Sequence, residues 1–281
     1  MPILQDASTQ DLKRLLEVFP ASSIKAGWPS IRGTKEEICF AAAESRDLPR
    51  ILEFIYRNFN RCKQHVYIFT KPEETPDISE LIPECEIVDV RNGSEVIAIL
   101  RSEYSILLRD PPEETTMDFL WPMRIDDLGE LLIVRFVVME RNPCAYFDRD
   151  CYVTSRVVEE REIVLKLEAS GLKRVDLHKG IKALWQDDFM DAPRTSYKKP
   201  KSSAREIMDE ERGIKEHNPE LYLELQEAIL FTTMFTVRPS ETCSVTVFHV
   251  DPSMGYVAFP RYTEGAGDND VVVRAILESN N

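Results

Sequence analysis

The spacing of apolar residues changes near residue 63, and this change constrains the fold more than any other feature of the sequence. Before it, apolar residues recur at the interval of one helix face, at Leu12, Leu15, Leu16 and Phe19 and again at Leu48, Ile51, Leu52, Ile55 and Phe59. After it, short apolar runs typical of strands follow one another, at 65–69, 85–90, 104–108 and 131–139. The sequence therefore predicts an α+β fold in which an N-terminal three-helix unit precedes a mostly antiparallel sheet with packed helices.

The predicted organisation is a helical module over residues 1–63 and an α+β domain over 64–281. Four polar residues stand where helix starts are expected, at Ser8, Thr34, Asp47 and Asn218. The last of them should open a helix that runs to about Met234. A flexible basic loop is predicted over 191–204, which is rich in Pro, Ser and Lys, and a late strand over Val271 to Leu277.

The charge is divided unevenly between these two parts. The whole chain of 281 residues carries a net charge of −14, whereas residues 1–63 hold ten basic and eight acidic side chains. Such asymmetry favours two units with different partners. The alternative is that a small helical domain is simply near neutral.

Several classes of function lack their signatures. The four histidines are too far apart in sequence for helical metal pairs, and the chain has no phosphate-binding glycine loop and no nucleophile elbow. Its six cysteines are scattered, so we expect reduced thiols, with Cys144 and Cys151 the sole candidates for zinc. Without a spanning segment or secretory signal, the sequence predicts an intracellular, cytoplasmic protein that contacts no membrane, holds no cofactor or metal and lacks catalytic activity. A metal-dependent nuclease, or a component of a nuclease complex, remains the enzymatic alternative, because the chain has 49 acidic residues that could converge.

The segment 27–38 resembles the loop-to-helix part of SAP-type DNA-binding motifs. The match lies in a glycine, a lysine two residues later and an apolar residue three further on, at Gly33, Lys35 and Ile38. The resemblance implies that Arg32, Gly33, Thr34 and Lys35 receive a DNA phosphate at a helix start, where free N–H groups favour an anion. Lys198, Lys199 and Lys201 are the second predicted nucleic-acid contact.

The order of elements is also similar to that of the centromere protein N family, in which a death-fold helical bundle precedes an antiparallel α+β domain. That resemblance implies that the helical unit docks on a protein or a nucleosome. The sequence thus predicts a binding or adaptor protein whose helical module contacts DNA, or else a partner protein. The acidic α+β domain is expected to bind another protein or to self-associate.

Overall fold

The computed structural model describes residues 2–73, 77–138, 143–156, 159–199, 204–208, 213–238 and 243–281. Within these ranges the chain forms eleven α-helices and one twelve-stranded sheet, which confirms the predicted α+β class. Helices form the N-terminal unit, and the sheet follows it.

The N-terminal unit contains five helices, two more than the sequence predicts. They are α1 Pro2–Asp6, α2 Thr9–Glu17, α3 Ala21–Gly27, α4 Lys35–Ser45 and α5 Leu48–Asn58. The expected start signals are confirmed, because Ser8, Thr34 and Asp47 each accept a hydrogen bond from the backbone N–H three residues further on. The connection before α4 contains α3, whose turns carry Ile24 and the following Trp28 into the core.

The sheet is antiparallel at every described pairing. Its strands are β1 Gln64–Thr70, β2 Cys85–Arg91, β3 Glu95–Leu108, β4 Glu113–Asp127, β5 Leu131–Val137, β6 Cys151–Arg156, β7 Lys173–Arg174, β8 Met190–Lys198, β9 Arg205–Met208, β10 Ile229–Val237, β11 Val247–Asp251 and β12 Tyr256–Phe259. The spatial order is β2-β3-β4-β5-β1-β12-β11-β10-β8-β9, with β6 beside β3 and β7 beside β1.

The remaining helices cover the sheet. They are α6 Ile78–Leu81, α7 Glu160–Ala169, α8 His178–Gln186, α9 Ile214–His217, α10 Pro219–Glu227 and α11 Asp268–Asn280. Helix α7 packs on β3, β4 and β5, whereas α8, α10 and α11 form a separate core with β10 and β11 around Trp185, Phe235 and Phe248.

The helical unit shares its core with the sheet. Its cluster of buried side chains includes Ile97 and Ile99 of β3 and Leu120 of β4. The alternate β3 residues Ala98 and Leu100 face α7 instead, so this strand is covered on both sides. The five helices are therefore packed on β2, β3 and β4.

Three predictions about single elements are wrong. The segment predicted as a basic loop is strand β8 as far as Lys198, and residues 200–203 lie outside the described residues. Its proline, Pro193, falls where the pairing of β8 with β10 is irregular, so no ladder hydrogen bond is lost. The helix capped by Asn218 ends at Glu227 and gives way to β10, and the predicted strand after residue 270 is helix α11.

Candidate nucleic-acid interface

The start of α4, where the resemblance places a phosphate, is closed by a carboxylate of the chain itself. Glu37 accepts hydrogen bonds from the Thr34 backbone N–H at 2.7 Å and from the Thr34 hydroxyl at 3.1 Å. These bonds, the backbone one foremost, lower the pKa of the Glu37 carboxyl, so it is ionised at neutral pH. Gly33 has a φ of 144°, and a Cβ at this position would lie 2.5 Å from a Glu37 oxygen. Gly33 therefore leaves room for the Glu37 carboxylate, and Thr34 binds it. A phosphate would have to displace Glu37 from the helix start.

Lys35 and Arg32, beside this cap, form no ion pair with the described residues. Lys35 donates to the backbone carbonyl of Glu17 at 2.5 Å, which is a neutral acceptor. Arg32 is exposed and has no hydrogen-bond or ion-pair partner in the described part of the chain. The charges of these two predicted residues are therefore available to an outside anion.

Helix α3 brings three further cations to the same region. Arg50 of α5 donates to the Gly27 carbonyl at 2.7 Å, and Arg61 donates to the Ser23 hydroxyl at 3.3 Å. Lys25 is exposed on α3 itself. Ser23 and Gly27 are four residues apart, about 6 Å along α3, and Lys25 lies between them in sequence. We call Lys25, Arg32, Lys35, Arg50 and Arg61 the α3 basic surface.

The five cations of the α3 basic surface differ from other basic residues of the helical unit in what they contact. Across the described ranges, none has a carboxylate oxygen within 4.0 Å. By contrast, Lys13 pairs with Glu36 at 2.5 Å, and Arg57 pairs with Glu53. Hydrogen bonds to carbonyl and hydroxyl groups fix a side chain without cancelling its charge. These five charges are therefore not neutralised by a contacting carboxylate, although the ionised Glu37 lies beside them.

The second predicted contact is separate from the first. Lys198 is exposed at the end of β8, Lys199 forms an ion pair with Glu224, and Lys201 lies outside the described residues. Six steps between strands separate β8 from β4, on which α2 packs. At about 4.8 Å a step this is a path of about 29 Å along the sheet.

Sequence reasoning missed Lys25, Arg50 and Arg61 as members of the site. Their residues are dispersed over two helices and a turn, and only the packing of α3 on α5 gathers them. The signal present in the sequence was the excess of basic residues in the first 63 positions.

The dispersed acidic residues and the cysteines are the candidates for an alternative, metal-binding site. In the part of the chain that the structure describes, no three His, Cys, Asp or Glu side chains are placed to hold a metal ion. Burial, together with the neighbouring Cys144 thiol, raises the pKa of Cys151 to about 11.

No helix in the described ranges has both the length and the apolar character needed to cross a membrane.

Comparison with known proteins adds no relative. No protein-family model matches the chain, and no curated protein is detectably similar to it.

Proposed function

We propose that this chain is a non-catalytic intracellular binding protein that contacts DNA phosphates through the α3 basic surface. The observation that supports this function is that five cations on and near α3 contact no carboxylate in the described part of the chain, and that two of them, Arg50 and Arg61, bind α3 itself. The phosphate oxygens of DNA would supply the negatively charged partners that these cations lack. Contacts to the DNA backbone position a protein on the duplex without reading the base sequence.

The rest of the chain would limit this contact to the helical unit. Residues 64–281 hold 25 basic and 41 acidic side chains, so this part repels a polyanion. We assign to it the second role of an adaptor, namely binding to another protein or self-association. DNA would approach the face of the helical unit on which α3 lies.

Docking of the helical unit on a protein is the second candidate. Phe40, midway along α4, is 39% exposed, and it is the one large apolar side chain of the described residues 2–63 that is exposed. A protein partner would use this ring together with the surrounding mixed charges. The affinity for such a protein partner should not change when a single cation such as Arg32 is lost.

The two candidates are distinguished by binding measurements on the full chain, because the helices share a core with the sheet. Arg32→Glu and Lys25→Glu are the test variants, since neither side chain has a structural partner among the described residues. Lys35→Glu is a weaker test because it also removes the hydrogen bond to Glu17. Lys173→Glu is the matched control: it makes the same charge change at the far end of β1.

Binding to a labelled 20-base-pair duplex is measured by fluorescence anisotropy at two salt concentrations. We expect each test variant to weaken binding about fivefold and to reduce the salt dependence by about one phosphate contact. The control should bind as the wild type does. Equal binding by all four proteins would reject the α3 basic surface, and absence of wild-type binding would favour the protein-docking candidate.

A further inference from the structure

A cavity of about 210 Å³ lies between the sheet and the start of α7, away from the helical unit. Five strands, β1, β3, β4, β5 and β6, contribute to its walls, and the register places Leu100 opposite Trp121 and His65 opposite Phe136. Arg156 at the end of β6 and Glu160 at the start of α7 complete the wall. We call this space the Trp121 cavity.

The hydrogen-bond donors of the Trp121 cavity are open. The indole Nε1 of Trp121 is buried and has no acceptor among the described residues. A buried donor without a partner is costly, so its presence beside a cavity indicates a missing acceptor. The Arg156 guanidinium lies 4.9 Å from the centre of the Trp121 ring, and its described hydrogen bond uses only Nε, which donates to Ser102. Among the described residues its two terminal nitrogens have no acceptor, so they can donate to the same ligand.

The acceptors of the cavity, by contrast, are occupied. Glu160 receives the Tyr67 hydroxyl at 2.7 Å, and both of its oxygens lie 2.9–3.0 Å from His65 Nδ1. An amine would compete with Tyr67 and His65 for the Glu160 carboxylate. The groups without partners are donors, one of them a cation, and they favour a ligand that accepts hydrogen bonds and carries negative charge.

The remaining walls of the cavity are apolar, so the part of the ligand that is not hydrogen-bonded should be apolar too. Leu100, Pro122 and Phe136 line the space below the two donors. A closed cavity of about 150 Å³ holds benzene, with six non-hydrogen atoms, so 210 Å³ suits roughly eight to ten. We propose that the Trp121 cavity binds a small monocarboxylate with an aromatic or branched apolar body, its carboxylate held by Trp121 Nε1 and Arg156.

The experiment uses the indole N–H resonances of the ¹⁵N-labelled full chain. The chain has three tryptophans, at positions 28, 121 and 185, so Trp121→Phe assigns the Trp121 resonance by its loss. Benzoate is the probe, benzyl alcohol is the uncharged control of similar shape, and benzylamine is the cationic control. Arg156→Met tests the second donor, and the Trp28 and Trp185 resonances report whether this variant is folded.

We expect benzoate to move the Trp121 resonance in a saturable way, with a Kd of about 1 mM or tighter. Neither control should do so at the same concentrations. Arg156→Met should weaken benzoate binding about tenfold or more, which is the loss expected for a charged hydrogen bond. The proposal is overturned if benzoate produces no saturable shift, which would leave water as the acceptor. It is also overturned if benzyl alcohol binds as well as benzoate, or if folded Arg156→Met retains wild-type affinity.

Discussion

Arg135 joins three parts of the molecule, and its replacement by methionine should cost more stability than any exposed charge change. Its side chain is 3% exposed, with Nε 2.9 Å from Asp126 of β4 and a terminal nitrogen 2.7 Å from Asp270 of α11. Asp270 in turn accepts a hydrogen bond from Asn60, at the end of the helical unit, at 2.6 Å. The guanidinium therefore links the helical unit, the sheet and the last helix.

The size of this loss in unfolding free energy depends on the carboxylates that Arg135→Met leaves without their cation. Methionine fills most of the volume, so the cavity term is small, but two carboxylates lose their buried cation. Breaking a buried ion pair costs about 3–5 kcal/mol. Asp126 keeps Arg124 at 2.6 Å and Asp270 keeps Asn60, so we expect Arg135→Met to lower the free energy of unfolding by about 3 kcal/mol, the lower end of that range.

Urea unfolding followed by tryptophan fluorescence measures this loss. Adding Asp270→Asn removes one unpaired charge while keeping the acceptor for Asn60, so the double variant should regain about 1 kcal/mol. Arg57→Met is the control, because Arg57 is 72% exposed and its pair with Glu53 should contribute at most about 0.5 kcal/mol. A loss below about 1 kcal/mol for Arg135→Met, or a double variant no more stable than the single one, would refute this reasoning.

Three further predictions concern single positions. In the same urea titration, Gly255→Ala should lower the free energy of unfolding by more than about 2 kcal/mol, because φ is 53° and a Cβ would lie 2.7 Å from the Ile68 carbonyl oxygen. Gly129→Ala is the control: open space surrounds this glycine, so the free energy of unfolding should fall by only about 1 kcal/mol. Glu37→Gln should strengthen DNA binding about threefold at low salt in the anisotropy assay, because it removes the anion beside the α3 basic surface. Burial raises the pKa of Asp251, so the ionised carboxylate lowers the stability of the folded chain once the pH rises above the ordinary pKa of an aspartate. Unfolding curves should therefore show that Asp251→Asn raises the free energy of unfolding at pH 7, and that this gain vanishes well below pH 4, where the carboxyl is protonated in both the folded and the unfolded state.

The features predicted well from the sequence are those decided by neighbours along the chain. Ser8, Thr34, Asp47 and Asn218 all cap helices, because a side-chain oxygen three residues before a backbone N–H needs no tertiary partner. The change of periodicity near residue 63 likewise marks the passage from helices to β1.

The errors lie where tertiary packing overrides local preference. The valines at 271–273 favour a strand, yet Asn269, Val272, Val273 and Ile276 are buried with helical spacing against α8 and the turn before β1. The segment Ile229–Val237 has no helix breaker, but its pairing on both sides with β8 and β11 makes it a strand. Strand β4 contains Pro122, which is tolerated because its pairing with β5 begins only at Met123.

The candidate site was predictable only in part for the same reason. Arg32 and Lys35 belong to a local motif, whereas Arg50 and Arg61 reach α3 through contacts that span 23 and 38 residues of sequence. The role of Glu37 as an occupant of the helix start could be foreseen from the capping box, which places its carboxylate at the Thr34 N–H. Its competition with phosphate follows from that geometry.

The salt dependence of duplex binding by the full-length wild-type chain tests the central claim most directly. If three to five cations of the α3 basic surface contact phosphates, the slope of log K against log salt should lie between about −2.7 and −4.5. Such a slope in a protein of net charge −14 requires a concentrated basic surface. Binding that does not change with salt, or no binding at low salt, would contradict the account.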